Sequence, residues 1–186
     1  MKNRYLYIVL ILFFLHQILP SQPEKQNLPV SEQIKLILTT LKYDNHFMAK
    51  LSDELNIAVY CTENEISKQY CKKFLNTFQN DFKDKTFFER PFQIATISDT
   101  HALAANSFDL VIISPGSREN IREILEITHQ KKIISATGNS DYLKSGVSII
   151  VGLKEKKTFL AINLKNAQNE DCDFSSRILK LAQIVD

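Results

Sequence analysis

The chain has 186 residues, of which 44% are hydrophobic and 24% are charged, and its formal net charge is +2. This length and apolar content are enough for one domain with a buried core. The nearly balanced charge, with no block of basic residues, argues against a nucleic-acid-binding protein or one drawn to anionic membranes by its overall charge.

The amino-terminal residues have the layout of a secretory signal peptide. A short basic start precedes nine apolar residues, Tyr7–Leu15, and Ser21 offers a small side chain for cleavage. The apolar run is shorter than the ~20 residues of a membrane span. We therefore predict a signal peptide over residues 1–21 and a periplasmic protein, with an uncleaved amino-terminal membrane anchor as the alternative. Cleavage removes Lys2 and Arg4 and leaves a neutral chain.

Residues 22–30 are mostly polar, contain two prolines and are predicted to form a flexible leader. Ser31 is then suited to cap a helix, because apolar residues recur at positions 34, 37, 38 and 41, which form one helical face. A short helical piece is predicted over residues 45–52. The apolar run Leu55–Tyr60 predicts a buried strand.

A capping box and a long helix are predicted after this strand. Thr62 and Glu65 have the spacing at which each side chain bonds the backbone amide of the other. Large apolar side chains then recur every four residues and are expected to face the core: Ile66, Tyr70, Phe74, Phe78 and Phe82.

The remaining sequence alternates short apolar strands with amphipathic helices. Strands are predicted over residues 92–97, 108–113, 132–136, 147–152 and 158–164, and helices over 99–106, from Ser117 to His129, and over 175–185. This alternation predicts an α/β fold of three layers. We expect a mostly parallel central sheet of about six strands, helices on both faces and a carboxy-terminal antiparallel hairpin strand. Residues 31–186 are predicted to form a single domain.

The three cysteines are Cys61, Cys71 and Cys172, so at least one thiol is free or pairs between chains. Their spacing predicts no metal site. Cys61 ends a predicted strand and Cys71 lies two turns into the next helix, whereas a disulfide needs α-carbons within ~7 Å. We therefore expect separate core thiols, and a Cys61–Cys71 disulfide is the alternative.

Small polar residues gather in three loops that leave the carboxyl ends of predicted parallel strands, where open α/β sheets bind their ligands. Two of these loops open onto helices, whose free amides favour anions. Helix caps and turns require the same residue types, so ordinary loop structure is the alternative interpretation. The candidate ligand or partner surface comprises Thr62, Ser114, Gly116, Ser117, Gly138, Asn139 and Ser140.

The familiar catalytic motifs are missing from the sequence. Neither GxGxxG nor GxxxxGK[ST] occurs, and no histidine accompanies a nucleophile motif such as GxSxG. His129 falls in the last turn of its predicted helix, where a cation suits the helix dipole. We predict no catalytic residue, no metal and no cofactor. A hydrolase is the least favoured hypothesis because these motifs are missing, and it stays an alternative because triads assemble from distant positions.

The order of motifs in the carboxy-terminal third resembles the YfiR-like family of small exported bacterial proteins. The family pattern is an apolar strand, a polar segment ending in glycine, a second apolar strand, a charged turn, an "INL" strand and a closing helix that begins "SS". The matching segments are Ile133–Ala136, the loop to Gly146, Val147–Leu153, Ile162–Leu164 and residues 175–185. Earlier stretches, KLILTTLKYD and IAVY, also fit, so the resemblance covers residues 32–185. Ser140–Leu143 depart from the phenylalanine or proline common in the family, and the cysteines do not match the disulfides of the known repressor.

This resemblance implies an exported, non-catalytic regulator with an envelope partner. The best-known relatives bind the periplasmic part of an inner-membrane diguanylate cyclase and hold it inactive. An outer-membrane lipoprotein sequesters the repressor, and cyclic-di-GMP output and biofilm formation then rise. Related domains occur as extracytoplasmic sensor parts of signalling proteins such as sensor kinases, and homodimers occur. The alternative from a different class is a periplasmic small-molecule-binding or sensor module that uses the candidate surface.

Overall fold

The structure is a computed structural model that describes residues 27–185, and the predicted signal peptide lies outside them. The helices are α1 (Val30–Leu41), α2 (Phe47–Lys50), α3 (Glu65–Asp81), α4 (Thr100–Ala105), α5 (Ile121–Lys131), α6 (Leu164–Asn169) and α7 (Ser176–Leu179). The strands are β1 (Leu55–Tyr60), β2 (Phe92–Ile97), β3 (Leu110–Ile113), β4 (Ile134–Thr137), β5 (Ile149–Lys154), β6 (Lys157–Asn163) and β7 (Gln183–Val185). Two 3₁₀ turns cover Arg118–Asn120 and Ser140–Tyr142.

The seven strands form one sheet in the order β2-β1-β3-β4-β5-β6-β7. All neighbours are parallel except β5 and β6, which form the predicted antiparallel hairpin. The mostly parallel α/β fold is therefore confirmed, with one more strand than expected. The hairpin turn places Glu155 and Lys156 at positive φ, 52° and 64°, the backbone of a type I′ turn.

A hydrophobic core lies on each face of the sheet. Alternate residues of β1 divide between them: Ile57 and Val59 join the core under α1 and α3, whereas Ala58 and Tyr60 join the core under α4 and α5. Successive strand residues point to opposite faces, so a strand with consecutive apolar residues, such as Ile57–Tyr60, fills both cores. The predicted three-layer arrangement follows from this double burial.

The aromatic row of α3 packs on the sheet as expected, except at its first position. Phe74 and Phe78 are buried, and Phe78 meets Phe92 of β2 edge-on at 5.2 Å between ring centroids. Ile66, in contrast, is 62% exposed. The helix begins only at Glu65, so Ile66 lies in its first turn, one turn before the buried part of the row.

The start of α1 differs from the prediction. Val30 opens the helix and Pro29 is its N-cap, so Ser31 lies inside the first turn. Proline fits a helix start because its fixed φ and missing amide cost nothing there. Leu28 and Val30, from the predicted leader, are buried.

The prediction of one closing helix over residues 175–185 is wrong in its second half. Only α7, Ser176–Leu179, is helical, and Gln183–Val185 form β7 against Ala161–Asn163 of β6. Leu181, within the predicted helix, is 79% exposed. The apolar spacing of this segment suits a helix, but the backbone groups along the free edge of β6 need hydrogen-bond partners. Residues 183–185 provide them and therefore form a strand.

Candidate functional site

The strand order creates a crevice beyond the carboxyl ends of the strands, which form one edge of the sheet. From β1 the chain crosses to β2 on one side and later to β3 on the other, so the connections after β1 and β3 leave in opposite directions. Doubly wound sheets bind ligands outside the carboxyl ends of the strands at such a switch point. The loops over residues 61–64, 114–117 and 138–139 lie at this edge.

A buried cluster of hydroxyl groups ties these loops together. Ser114 Oγ lies 2.6 Å from Ser67 Oγ and 3.0 Å from Ser117 Oγ. The Ser117 amide donates to the Tyr142 hydroxyl at 2.8 Å, and the Thr62 amide donates to Ser67 Oγ at 2.8 Å. The three serines are fully buried. Ser114 and Ser117, both predicted surface residues, therefore hold the floor of the crevice and do not face solvent.

The capping box predicted at Thr62 does not form. Asn64 is the N-cap of α3, and its side-chain oxygen accepts from the Ile66 amide at 2.9 Å. Glu65 instead lies in the first helical turn, where its charge suits the helix dipole. Thr62 Oγ1 is buried and has no hydrogen-bond partner among the described residues. Thr62 contacts the helix through its backbone, because its amide donates to Ser67 Oγ, and Asn64 takes the capping position.

A groove of about 530 Å³ lies at the same edge, between α1, α3 and the loops after β3 and β4. Three predicted residues, Gly116, Gly138 and Asn139, line it. Ser140 does not, because it begins a 3₁₀ turn over β5 near Gly152. The other lining residues are Asn27, Leu28, Pro29, Val30, Gln33, Ile66, Gln69, Tyr70, Lys73, Pro115 and Asp141.

Helix α1 forms one wall of the groove through the buried Gln33. Its side-chain amide donates to the Leu28 carbonyl at 2.6 Å, and its oxygen accepts from the Tyr70 hydroxyl at 2.9 Å. A β-carbon at Gly138 would lie 1.7 Å from that oxygen, so only glycine fits between β4 and α1. Burial raises the pKa of the Tyr70 phenol, which keeps the hydroxyl a donor. Sequence periodicity predicts the buried face of α1, but it does not reveal this polar bridge.

The chemistry of the groove is that of a binding surface. Lys73 and Asp141 bring opposite charges to its walls, and Ile66 exposes an apolar side chain. Gly116 has φ of 85°, and a β-carbon there would lie 2.9 Å from Asn64 Oδ1. Residues 27–185 contain no cluster of His, Cys, Asp or Glu side chains suited to a metal ion. The arrangement can hold a polar molecule or an extended segment of another protein.

The expectation of separate thiols at Cys61 and Cys71 is wrong. The two form a disulfide with α-carbons 6.2 Å apart, within the range that a disulfide needs. The four-residue loop after β1 folds α3 back over the strand, so Cys71 Sγ lies 4.0 Å from the Tyr60 carbonyl oxygen. The expectation of separate thiols considered only the rise along the helix, which places Cys71 two turns from its start. It left out the reversal of the chain between β1 and α3. Cys172 is free and buried, and burial raises the pKa of its thiol.

A second polar cluster lies near the amino ends of β4 and β5, at the opposite edge of the sheet. The fully buried Glu170 accepts from Thr128 Oγ1 at 2.7 Å, the Ser135 amide at 2.9 Å and Asn166 Nδ2 at 3.0 Å. The Ser148 hydroxyl also donates to it. Burial raises the pKa of the Glu170 carboxyl, although these hydrogen bonds oppose the rise. No sequence motif marks this cluster.

Comparison with protein families decides the classification. The model of the YfiR/HmsC-like family matches residues 36–183, which include the hydroxyl cluster, almost all of the sheet and the part of the groove formed by α3 and the loops after β3 and β4. The chain belongs to the YfiR/HmsC-like family. This family is a regulatory, non-catalytic one whose members are periplasmic, and membership suggests a regulatory protein of cyclic-di-GMP signalling.

Solved structures share the fold of this YfiR/HmsC-like chain. A conserved domain protein from Vibrio cholerae matches with a TM-score of 0.59 and 15% identity, over 85% of this chain and 60% of its own. The ABC domain in complex with L-Trp from Streptococcus pneumonia matches with a TM-score of 0.58 and 12% identity, over 84% and 60%. The chain thus spans about 60% of the length of both structures. No curated protein matches this sequence.

The sequence places a membrane anchor, the alternative to a signal peptide, only in the amino-terminal segment, which precedes the described residues. Within residues 27–185, none of the helices combines the length and the apolar character needed to cross a bilayer. The predicted signal peptide and its alternative, an uncleaved anchor, therefore both remain predictions.

Proposed function

We propose that this protein is an exported, non-catalytic regulator that docks on an envelope signalling partner and represses it. The family match over residues 36–183 carries the proposal. The partner would be a membrane diguanylate cyclase, or a sensor kinase, and an outer-membrane lipoprotein would relieve the repression. Regulation then follows from differential affinity, because a protein that binds only the inactive partner shifts its population toward that state.

The groove is the surface that supports docking best. Its rim carries the exposed Ile66 on α3, next to Gln69 and Lys73, and its walls are held by the buried Gln33–Tyr70 bond. Protein interfaces commonly have apolar side chains at their centre and polar groups around them, and the groove has this arrangement on a small scale. Hydrogen-bonded serines lie buried below the groove. Gly116 has no side chain and lines the groove, so an approaching chain can reach its backbone.

Cellular cyclic-di-GMP tests the repressor proposal. Deletion of the gene should raise cyclic-di-GMP and biofilm formation, and the wild-type gene should reverse both effects. Ile66→Asp should fail to restore repression, because a charge at the centre of an apolar contact must be desolvated on binding. Leu181→Asp changes another exposed aliphatic side chain that does not line the groove, and should restore it fully. Unchanged cyclic-di-GMP after deletion contradicts the cyclase as partner.

A small-molecule-binding or sensor module is the second candidate function. It is favoured by the groove of about 530 Å³ at the switch point and by the fold shared with a domain solved with L-Trp. A ligand that binds only the folded state raises the melting temperature. A panel of amino acids and other metabolites should therefore include a compound that stabilises the wild-type protein. Gln69→Trp, which places a bulky side chain at an exposed lining position of the groove, should abolish the shift, and a flat panel contradicts this function.

A further inference from the structure

The sheet ends in two edge strands of different character. The strand β7 has only three residues, whereas β2 has six and pairs with β1 along its whole length without a bulge. The sequence of β2, FQIATI, contains no charged residue and no proline. Natural proteins usually protect a long edge strand with lysine, proline, a bulge or a covering element. By these criteria β2 is unprotected.

The outer side of β2 presents a row of free backbone groups. The Leu55 amide donates to the Pro91 carbonyl and the Cys61 amide donates to the Ile97 carbonyl, so odd-numbered residues face β1. Backbone groups alternate in direction along a strand, and therefore Phe92, Ile94 and Thr96 direct both their N–H and C=O groups outward. Within residues 27–185, these six groups have no hydrogen-bond partner.

We propose that two copies of this chain pair through β2, antiparallel, about a two-fold axis at Ile94. Outward residues must face outward residues, which sets Phe92 against Thr96 of the second copy and Ile94 against itself. This register satisfies all six groups of each chain, and the two seven-stranded sheets become one. A two-fold interface requires a self-complementary surface, and this edge is one.

The charges that flank β2 favour a second copy over an unrelated strand. Arg90 precedes the strand and Asp99 follows it. An antiparallel pair brings Arg90 of one chain opposite Ser98 of the other, next to Asp99, at both ends of the interface. Opposite charges on neighbouring strands stabilise such pairs, and like charges destabilise them. The side chains between them that reach solvent, Gln93, Ala95 and Thr96, are uncharged and leave the edge accessible.

Sedimentation of the purified exported chain over a ~100-fold range of concentration tests this assignment, because association follows mass action. The wild-type protein should form dimers. Thr96→Pro removes an outward N–H that β1 does not use, and proline is tolerated at such an edge position. By symmetry the dimer loses two hydrogen bonds, so its dissociation constant should rise at least about tenfold. Thr96→Val keeps the N–H and should leave the dimer unchanged.

Amide hydrogen exchange of the wild-type protein tests the surface without any substitution. The amides of Ile94 and Thr96 should exchange more slowly as the concentration rises, while the inward amide of Ala95 should not change. This measurement decides the outcome even if Thr96→Pro does not fold. A wild-type chain that stays monomeric, a dimer equally stable with proline at position 96, or protection at another surface overturns the proposal.

Discussion

Glu170 is a carboxylate in the interior whose partners are all neutral. Four donors reach its two oxygens, from Thr128, Ser135, Ser148 and Asn166. The network joins the end of α5 to the starts of β4 and β5, so a single side chain fixes three elements at the sheet edge opposite the groove. Hydrogen bonds to a charged group are stronger than neutral ones, but they do not remove the cost of its burial.

The pH dependence of stability should reveal this burial. The carboxyl titrates near 4.5 when unfolded, and burial raises its pKa in the fold. Its stabilising contribution is therefore complete below pH 4.5 and is lost as the pH rises through the folded pKa. We expect the difference in unfolding free energy between wild type and Glu170→Gln to fall as the pH rises above about 4.5, measured by urea titration.

The exposed Glu119 provides the matched control for this measurement. Glu119→Gln removes the same charge from a solvated position, and its difference from wild type should be small at every pH. A Glu170→Gln difference that rose with pH would mean that the hydrogen bonds outweigh burial and lower the pKa of the carboxyl.

The contact of Gly138 with Gln33 makes a second prediction at the scale of single residues. Gly138→Ala places a methyl group where the Gln33 side chain lies and should destabilise the fold by about 1–3 kcal/mol. Gln33→Ala removes the obstacle but leaves the Tyr70 hydroxyl without its acceptor. The double variant should therefore lose less stability than the sum of the single changes, as measured in a double-mutant cycle by urea unfolding. Additive losses would show that the two residues are not coupled.

Among the elements, the join between β1 and α3 is set by the Cys61–Cys71 disulfide. The bond closes a short loop, with a sequence separation of 10. Constraint of the unfolded chain by a loop of this size is worth about 2–3 kcal/mol. Replacement of both cysteines by serine should lower the unfolding free energy by about that amount in an oxidising buffer. In a reducing buffer wild type and variant should agree far more closely, and a difference that persisted there would contradict a role for the bond.

Sequence patterns predicted the elements whose burial follows one period, and failed where distant segments decide. The apolar spacing of α1 and α5 and the mostly apolar runs of β1 and β3 identify those elements, since burial on one or both faces fixes their composition. Residues 183–185 carry a helical spacing, but they become β7 because the edge of β6 is open to them. The Cys61–Cys71 bond was missed for a related reason, since it depends on the direction in which α3 returns.

The candidate site divides in the same way. Strand alternation predicted which loops meet at the carboxyl edge, and Gly116, Gly138 and Asn139 do line the groove. The pattern could not separate these residues from Ser114 and Ser117, which lie beneath them, because small polar residues serve buried floors and open walls alike. It also omitted Gln33, whose role arises only when α1 packs against the loop after β4.

At the scale of the whole molecule, one sheet carries both cores. The strands β1, β2, β3, β5 and β6 each contribute apolar side chains to both cores, so neither core can be lost without exposing the other. We expect residues 31–186 to unfold in a single cooperative transition, with the same midpoint by far-ultraviolet circular dichroism and by tyrosine fluorescence. Two separate transitions would contradict a single domain.

The Gln33–Gly138 contact also bears on how the protein is made. In the proposed export the chain would cross the membrane from its amino end, so α1 would emerge early, while the loop that completes its wall of the groove would follow about a hundred residues later. Contacts between such distant segments form slowly, since the long intervening chain must first be ordered. A newly exported molecule therefore has β1 and α3 available before it has a groove, and it acquires its proposed docking surface only when translocation is nearly complete.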